Sequence, residues 1–175
     1  MAAKANKQAG QRIALCGILV SLMLVLGYIE RLLPVSTLIS GGIPGIKLGL
    51  ANGVLVFAIY MLDDKTSWLL MLVKVVLSGV LFGNLEVMTY SLAGGVLSVL
   101  GMTLLHRAKG FSVIGISIAG GVLHNVGQAA MAILKLRTPQ LVGYMYVLML
   151  MGLATGAVTG FMAKMVLRHL SKMKI

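Results

Sequence analysis

RIALCGILVSLMLVLGYIERLL, residues 12–33, decides the fold. As a helix this run is long enough to cross a bilayer core, which takes about 20 apolar residues. It ends at Pro34, where a helix is expected to stop. Glu30-Arg31 closes it where a cleaved signal would carry small residues, so it reads as a retained span. Similar runs follow at about 46–62, 66–83, 86–105, 112–134 and 140–163. Their boundaries are Asp63-Asp64-Lys65, Gly83-Asn84, His106-Arg107-Ala108-Lys109, then Lys135-Leu136-Arg137 with Pro139. None alternates apolar and polar residues as a barrel strand would. The expected fold is all-α: a polytopic membrane protein of six transmembrane helices. Residues 1–11 form a basic N-terminal segment, 12–163 the bundle and 164–175 a basic tail, all within a single membrane domain.

Composition agrees. Of the 175 residues, 59% are hydrophobic and 11% charged, against roughly 25% charged in soluble domains. The net charge of +11 sits at the ends of apolar runs, where topology and lipid headgroups account for it. No basic, aromatic-rich face suggests nucleic acid.

The basic residues also orient the bundle. With the N-terminus inside, the inner segments hold Lys4, Lys7, Arg12, Lys65, Arg107, Lys109, Lys164, Arg168, Lys172 and Lys174. The outer segments hold Arg31, Lys47, Lys135 and Arg137, and Lys74 lies within a span. The positive-inside rule therefore predicts both termini in the cytoplasm of a cell-membrane protein.

Three features could carry function. First, Gly10, Ala14, Gly17 and Ser21 fall on one face of the first helix. Small residues let another helix approach closely, either within this chain or from a partner subunit. Second, Pro44-Gly45-Ile46-Lys47-Leu48-Gly49-Leu50-Ala51-Asn52 places a lysine at a predicted helix start near the outer surface. Helix N–H groups and a lysine together suit a carboxylate or phosphate. The competing reading is a lysine snorkelling to the interface. Third, Lys74, Glu86, His124, Asn125 and Gln128 are polar residues within spans, where such residues need partners. His124, Asn125 and Gln128 cluster on the fifth helix, as structural hydrogen bonds or as ligand contacts. Lys74 and Glu86 are candidates for an ion pair.

An internal repeat accompanies these features. YSLAGGVLSVLGM at 90–102 and ISIAGGVLHNVGQ at 116–128 share seven of thirteen positions. They lie on consecutive helices running in opposite directions. An inverted repeat can frame a central site. Close packing at Gly-Gly is the alternative.

Catalysis finds little support. Cys16 is the single cysteine and has no thiol partner for a disulfide or metal site. His124 has no second ligand at metal spacing. No P-loop is present. The expectation is no catalytic residues, no metal and no cofactor.

Taken together, PGIKLGLAN (44–52), SLAGGVLSVLGM (91–102) and GGVLHNVGQ (120–128) resemble the Gx transporter family, also called heptaprenyl diphosphate synthase component I. That family is similar to the substrate-binding S components of energy-coupling-factor transporters, so the resemblance implies an S-component-like bundle. It implies a partner contact at Ala14, Gly17 and Ser21, a covering loop at 35–45, and a pocket of Lys47, Asn52, Glu86, Tyr90, His124, Asn125 and Gln128. Implied partners are a small-molecule ligand related to an isoprenoid, quinone or flavin, membrane lipids, an energy-coupling membrane subunit and ATPases. The synthase name implies instead an accessory subunit of polyprenyl diphosphate or quinone synthesis, or of extracellular electron transfer. With four acids in the chain and Lys65 following Asp63-Asp64, the aspartate-rich sites of prenyl elongation cannot be assembled. The chain is expected to be non-catalytic.

Overall fold

The computed structural model describes residues 2–32, 47–82, 84–137 and 142–172. They form helices α1 (Ala2–Leu32), α2 (Asn52–Met61), α3 (Asp64–Phe82), α4 (Leu85–Arg107), α5 (Val113–Leu136) and α6 (Val142–Lys172). The expected all-helical membrane fold is observed. All except α2 are long and apolar enough to cross a membrane. Ile13, Val80, Leu85 and Leu134 are each more than 70% exposed. Apolar side chains left open on this scale need lipid to cover them. The N-terminal segment and the tail continue α1 and α6 as helix, so the end helices are longer than the hydropathy alone suggested.

Local chemistry sets several helix starts. Asn84 Oδ1 accepts from the Val87 N–H at 2.9 Å, and Ser112 Oγ accepts from the Gly115 N–H at 3.1 Å. Each satisfies a donor that a helix N-terminus leaves free. The α2–α3 turn is capped the same way. Asp63 Oδ1 accepts from the Thr66 N–H at 2.7 Å. Asp63 also pairs with Arg12 of α1, and Asp64 pairs with Arg107 of α4 at 2.7 Å. One turn therefore ties three helices together.

The Thr66 N–H, and then Arg12, hold the Asp63 carboxyl below its ordinary range. A lowered folded value stabilises the fold fully above about pH 4, and this is lost as pH falls through that lowered value. Asp63→Ala is expected to lower the thermal midpoint by about 2–4 °C at pH 7. The gap from wild type should narrow in acid. A gap that is constant from pH 7 to the lowest tolerated pH would show that the carboxylate's charge is not what stabilises the turn.

The predicted second span, 46–62, is built differently from a full transmembrane helix. Its helical part is the ten-residue α2, which rises about 15 Å, half of the hydrocarbon core. The preceding residues 47–51 are non-helical, and Gly49 takes a left-handed φ of 86°. Every residue from Asn52 to Ile59 is buried. A helix that is apolar on every side after Asn52 belongs at the centre of a bundle. Irregular backbone at membrane depth is tolerated where protein surrounds it, and Leu48, Gly49 and Ala51 are buried.

Helices α4, α5 and α6 pack backbone to backbone. A methyl at Gly156 would lie 2.6 Å from Ile118 Cα and 2.7 Å from Ser117 O. A methyl at Gly121 would collide with the Gly152 carbonyl. The repeat appears here as geometry. A methyl at Gly94 would meet His124 O at 2.7 Å and Gln128 Cγ at 2.8 Å. Its repeat mate Gly120 instead faces Met102 and Ser98, which are the mates of Gln128 and His124. The contacts exchange under the repeat, so the two antiparallel helices are related by a local pseudo-two-fold. The next glycines extend the pattern: Gly95 faces Met71 on α3, and Gly121 faces α6. Close packing and an inverted repeat are thus one arrangement.

Candidate functional site

The site forms where the irregular segment 47–51 is pinned between α1 and α5. The Lys47 N–H donates to Gln128 Oε1 at 2.9 Å. The Gly49 N–H donates to Glu30 Oε1 at 2.7 Å. Thr155 Oγ1 of α6 donates to the Leu48 carbonyl at 3.2 Å. The Asn52 N–H donates back to the Gly49 carbonyl at 2.9 Å, which closes the turn into α2. Side chains from three helices thus supply the partners that a helix would have supplied to this backbone.

Gly49 is required on two counts. Its left-handed φ disfavours any residue with a Cβ. A Cβ there would also lie 2.6 Å from Asn52 Nδ2 and 3.0 Å from His124 Cδ2. The Asn52 amide and the imidazole therefore sit side by side against the turn.

Within α5, Gln128 Nε2 and His124 Nε2 lie 3.1 Å apart. Asn125 Nδ2 donates to the Leu148 carbonyl of α6 at 2.6 Å. His124, Asn125 and Gln128 are all at most 1% exposed. Three buried atoms here have no hydrogen-bond partner: Asn52 Nδ2, His124 Nδ1 and Asn125 Oδ1. Buried polar atoms are rarely left so.

Charge converges on the same place. Glu30 is buried, as is Lys74 of α3, and Lys47 is half-buried. The three interact electrostatically, yet the ion pairs closer than 4.0 Å among the described residues are Arg12–Asp63 and Arg107–Asp64.

The structure brings together Lys47, Asn52, His124 and Gln128, with Asn125 adjoining on α5. It does not bring Glu86 or Tyr90 among them. Glu86 is exposed at the start of α4 and accepts from the Tyr90 hydroxyl at 2.8 Å. Tyr90 belongs to a separate buried group with Ala129, Ala132 and Leu148, and the Lys135 ammonium lies 5.6 Å from its ring centroid. The suggested Lys74–Glu86 ion pair is not among the close pairs of the described residues; Lys74 is buried and interacts electrostatically with Glu30 and Lys47. Sequence reasoning left Glu30 and Lys74 out of the pocket. A lone acid inside an apolar span was the available signal, because such residues are costly unless partnered. The expected covering loop, 35–45, lies outside the described residues.

On α1, Gly10, Ala14, Gly17 and Ser21 are all exposed. A Cβ at Gly10 or Gly17 would meet nothing within 4 Å. Among the described residues no neighbour covers Gly10 or Gly17. Cys16, on a neighbouring face, packs against the core.

A family model described as heptaprenyl diphosphate synthase component I matches residues 19–166. The chain belongs to that family. No curated protein and no solved structure matches it. A component I is a non-catalytic part of the synthase, and the name implies a further component as partner. The acids agree with that role. Asp63 and Asp64, the adjacent pair, are held by Arg12 and Arg107, so they do not fit a magnesium–diphosphate site. Among the described residues no three of His, Cys, Asp and Glu converge as metal ligands.

Proposed function

We propose that this component I protein is a substrate-binding membrane component, which captures a small anionic or amphipathic ligand at the Lys47–Gln128 site. The observation that carries this reading is the set of buried polar atoms without partners around the Gly49 turn. An unsatisfied buried amide costs about 1–3 kcal/mol, and a ligand that accepts from Asn52 removes that cost. Irregular backbone at membrane depth is also where membrane transporters place their substrates. Lys47, Asn52, His124, Asn125 and Gln128 form the binding set, with Glu30 and Lys74 behind them. Glu86 and Tyr90 stand at the rim beside Lys135. Both termini face the cytoplasm of the cell membrane, so the site opens outward.

In the same reading, Gly10, Ala14, Gly17 and Ser21 form the docking face for a partner helix. An energy-coupling membrane subunit with ATPases is one such partner. The family match supports a second reading, an accessory subunit that presents an isoprenoid to a prenyl diphosphate synthase. Co-purification from native membranes separates the two: ATPase subunits support transport, and a prenyl synthase supports the accessory role.

Ligand capture itself is tested with the purified full-length protein. Native mass spectrometry should detect a co-purifying small molecule without added nucleotide. Lys47→Ala should lower its occupancy about tenfold, in line with the loss of one charge-assisted hydrogen bond. Equal occupancy in the variant would remove Lys47 from the site.

A further inference from the structure

The buried and half-buried charges of the site do not balance. Glu30 contributes one negative charge, and Lys47 and Lys74 contribute two positive ones. His124 adds none in its neutral form. Arg31, Lys135 and Arg137 on the outer side are exposed, so water and lipid headgroups can compensate them. Residues 33–46, which join α1 to the site, contain no charged side chain. No acid of this chain is left to balance the second lysine, because Asp63 and Asp64 are held by arginines at the α2–α3 turn and Glu86 is exposed. A buried ion without compensation is strongly disfavoured. Independently, Asn52 Nδ2 is a buried donor without an acceptor beside the same turn. One missing negative charge and one missing acceptor describe a single group.

We propose that the ligand headgroup is a monoanion, with a carboxylate as the fitting class, rather than a diphosphate. This deepens the ligand-binding reading above and rests on it. A carboxylate brings one charge for the uncompensated lysine and an oxygen for Asn52. A diphosphate ester brings more than a single phosphate's roughly −1.5 to −2, and among the described residues the site has neither the buried cations nor a converging ligand set for a metal to balance it. Glu30 is then a specificity residue: it cancels one of the two lysines and sets the charge the site accepts.

The test is a matched series on the full-length protein in nanodiscs: geraniol, geranic acid, geranyl phosphate and geranyl diphosphate. Ligand-induced thermal shift and Kd are read without magnesium. Geranic acid should bind at least tenfold more tightly than geraniol or geranyl diphosphate. Lys74→Met should erase the preference of the acid over the alcohol. Glu30→Gln keeps an acceptor for the Gly49 N–H and raises the site charge by one, so it should shift the preference toward geranyl phosphate by tenfold or more. Geranyl diphosphate binding best to the wild type, and weakening in Lys47→Ala, would overturn the monoanion but keep the ligand site. Equal binding of alcohol and acid, or stabilisation by no member of the series, would overturn the anion site altogether. If Lys74→Met does not fold, the Glu30→Gln shift still decides the outcome.

Discussion

Gly121→Leu is expected to destabilise the native bundle severely, lowering its thermal midpoint by about 10 °C or more. The Gly121 Cβ direction points into the Gly152 carbonyl, and Gly156 returns the approach with a Cβ position 2.6 Å from Ile118 Cα. These obstacles are backbone, so no side-chain rotation relieves them, and α5 and α6 would have to separate. Overpacking by flexible neighbours costs about 1–3 kcal/mol, and a backbone obstacle belongs at or above the top of that range. At about 2–4 °C per kcal/mol for a chain of this size, the midpoint should fall by about 10 °C or more. Yield of monodisperse protein in detergent should fall with it. Gly143→Leu is the control, because nothing lies within 4 Å of its Cβ position. A Gly121→Leu protein as stable as Gly143→Leu would mean that the α5–α6 contact is not tight.

The second large effect is expected at Glu30. Glu30→Ala removes the acceptor for the Gly49 N–H and the counter-charge shared by Lys47 and Lys74. Breaking a buried charge arrangement by deleting one partner costs about 3–5 kcal/mol. The variant should therefore unfold about 6–20 °C below wild type. Glu30→Gln retains the hydrogen-bond acceptor and should recover about half of the loss. Unfolding of all three proteins, followed by tryptophan fluorescence of Trp68, checks this. If Glu30→Gln were as unstable as Glu30→Ala, charge alone would hold the Gly49 turn. If both matched wild type, Glu30 would have no structural share in the site.

How much of this was legible in the sequence differs from element to element. The helix ends at Phe82, Arg107 and Leu136 fall within a few residues of where Gly83-Asn84, His106-Arg107 and Lys135-Leu136-Arg137 placed them. Gly, Asn and charged residues mark ends through local chemistry, which sequence shows directly. The polar run on α5 was equally visible, because His124, Asn125 and Gln128 interrupt an apolar helix. The second span was not: apart from Lys47 and Asn52, 46–62 is apolar, and hydropathy cannot tell a full span from a short buried helix led by irregular backbone. Glu30 was read as the close of the first span, since an acid at a helix end ordinarily faces water. Its partner is the N–H of Gly49, nineteen residues away, and sequence carries no mark of such a pairing. Lys74 and Glu86 looked complementary because they carry opposite charges within spans. In the fold Glu86 is exposed at the start of α4, and Lys74 is buried.

The repeat shows the same division. Both halves share Ala-Gly-Gly-Val-Leu and a later glycine, and that likeness alone leaves packing and inverted symmetry open. The structure joins them, and it also shows where the symmetry is broken. Ser98 and Met102 occupy one side, and His124 and Gln128 the other. The polar site exists on the second side only.

By itself, the sequence determined the class of protein and the ends of its long helices at Phe82, Arg107 and Leu136, because lipid imposes apolar length and polar residues punctuate it. It also supplied most of the site's residue types, because a polar group inside a span cannot hide. Only the tertiary structure decided which of these groups meet. Glu30, Lys47, Lys74, Asn52 and Gln128 come from separate elements, and their encounter depends on how closely glycines let α4, α5 and α6 approach. That distance is a property of packed backbones, which no local pattern records.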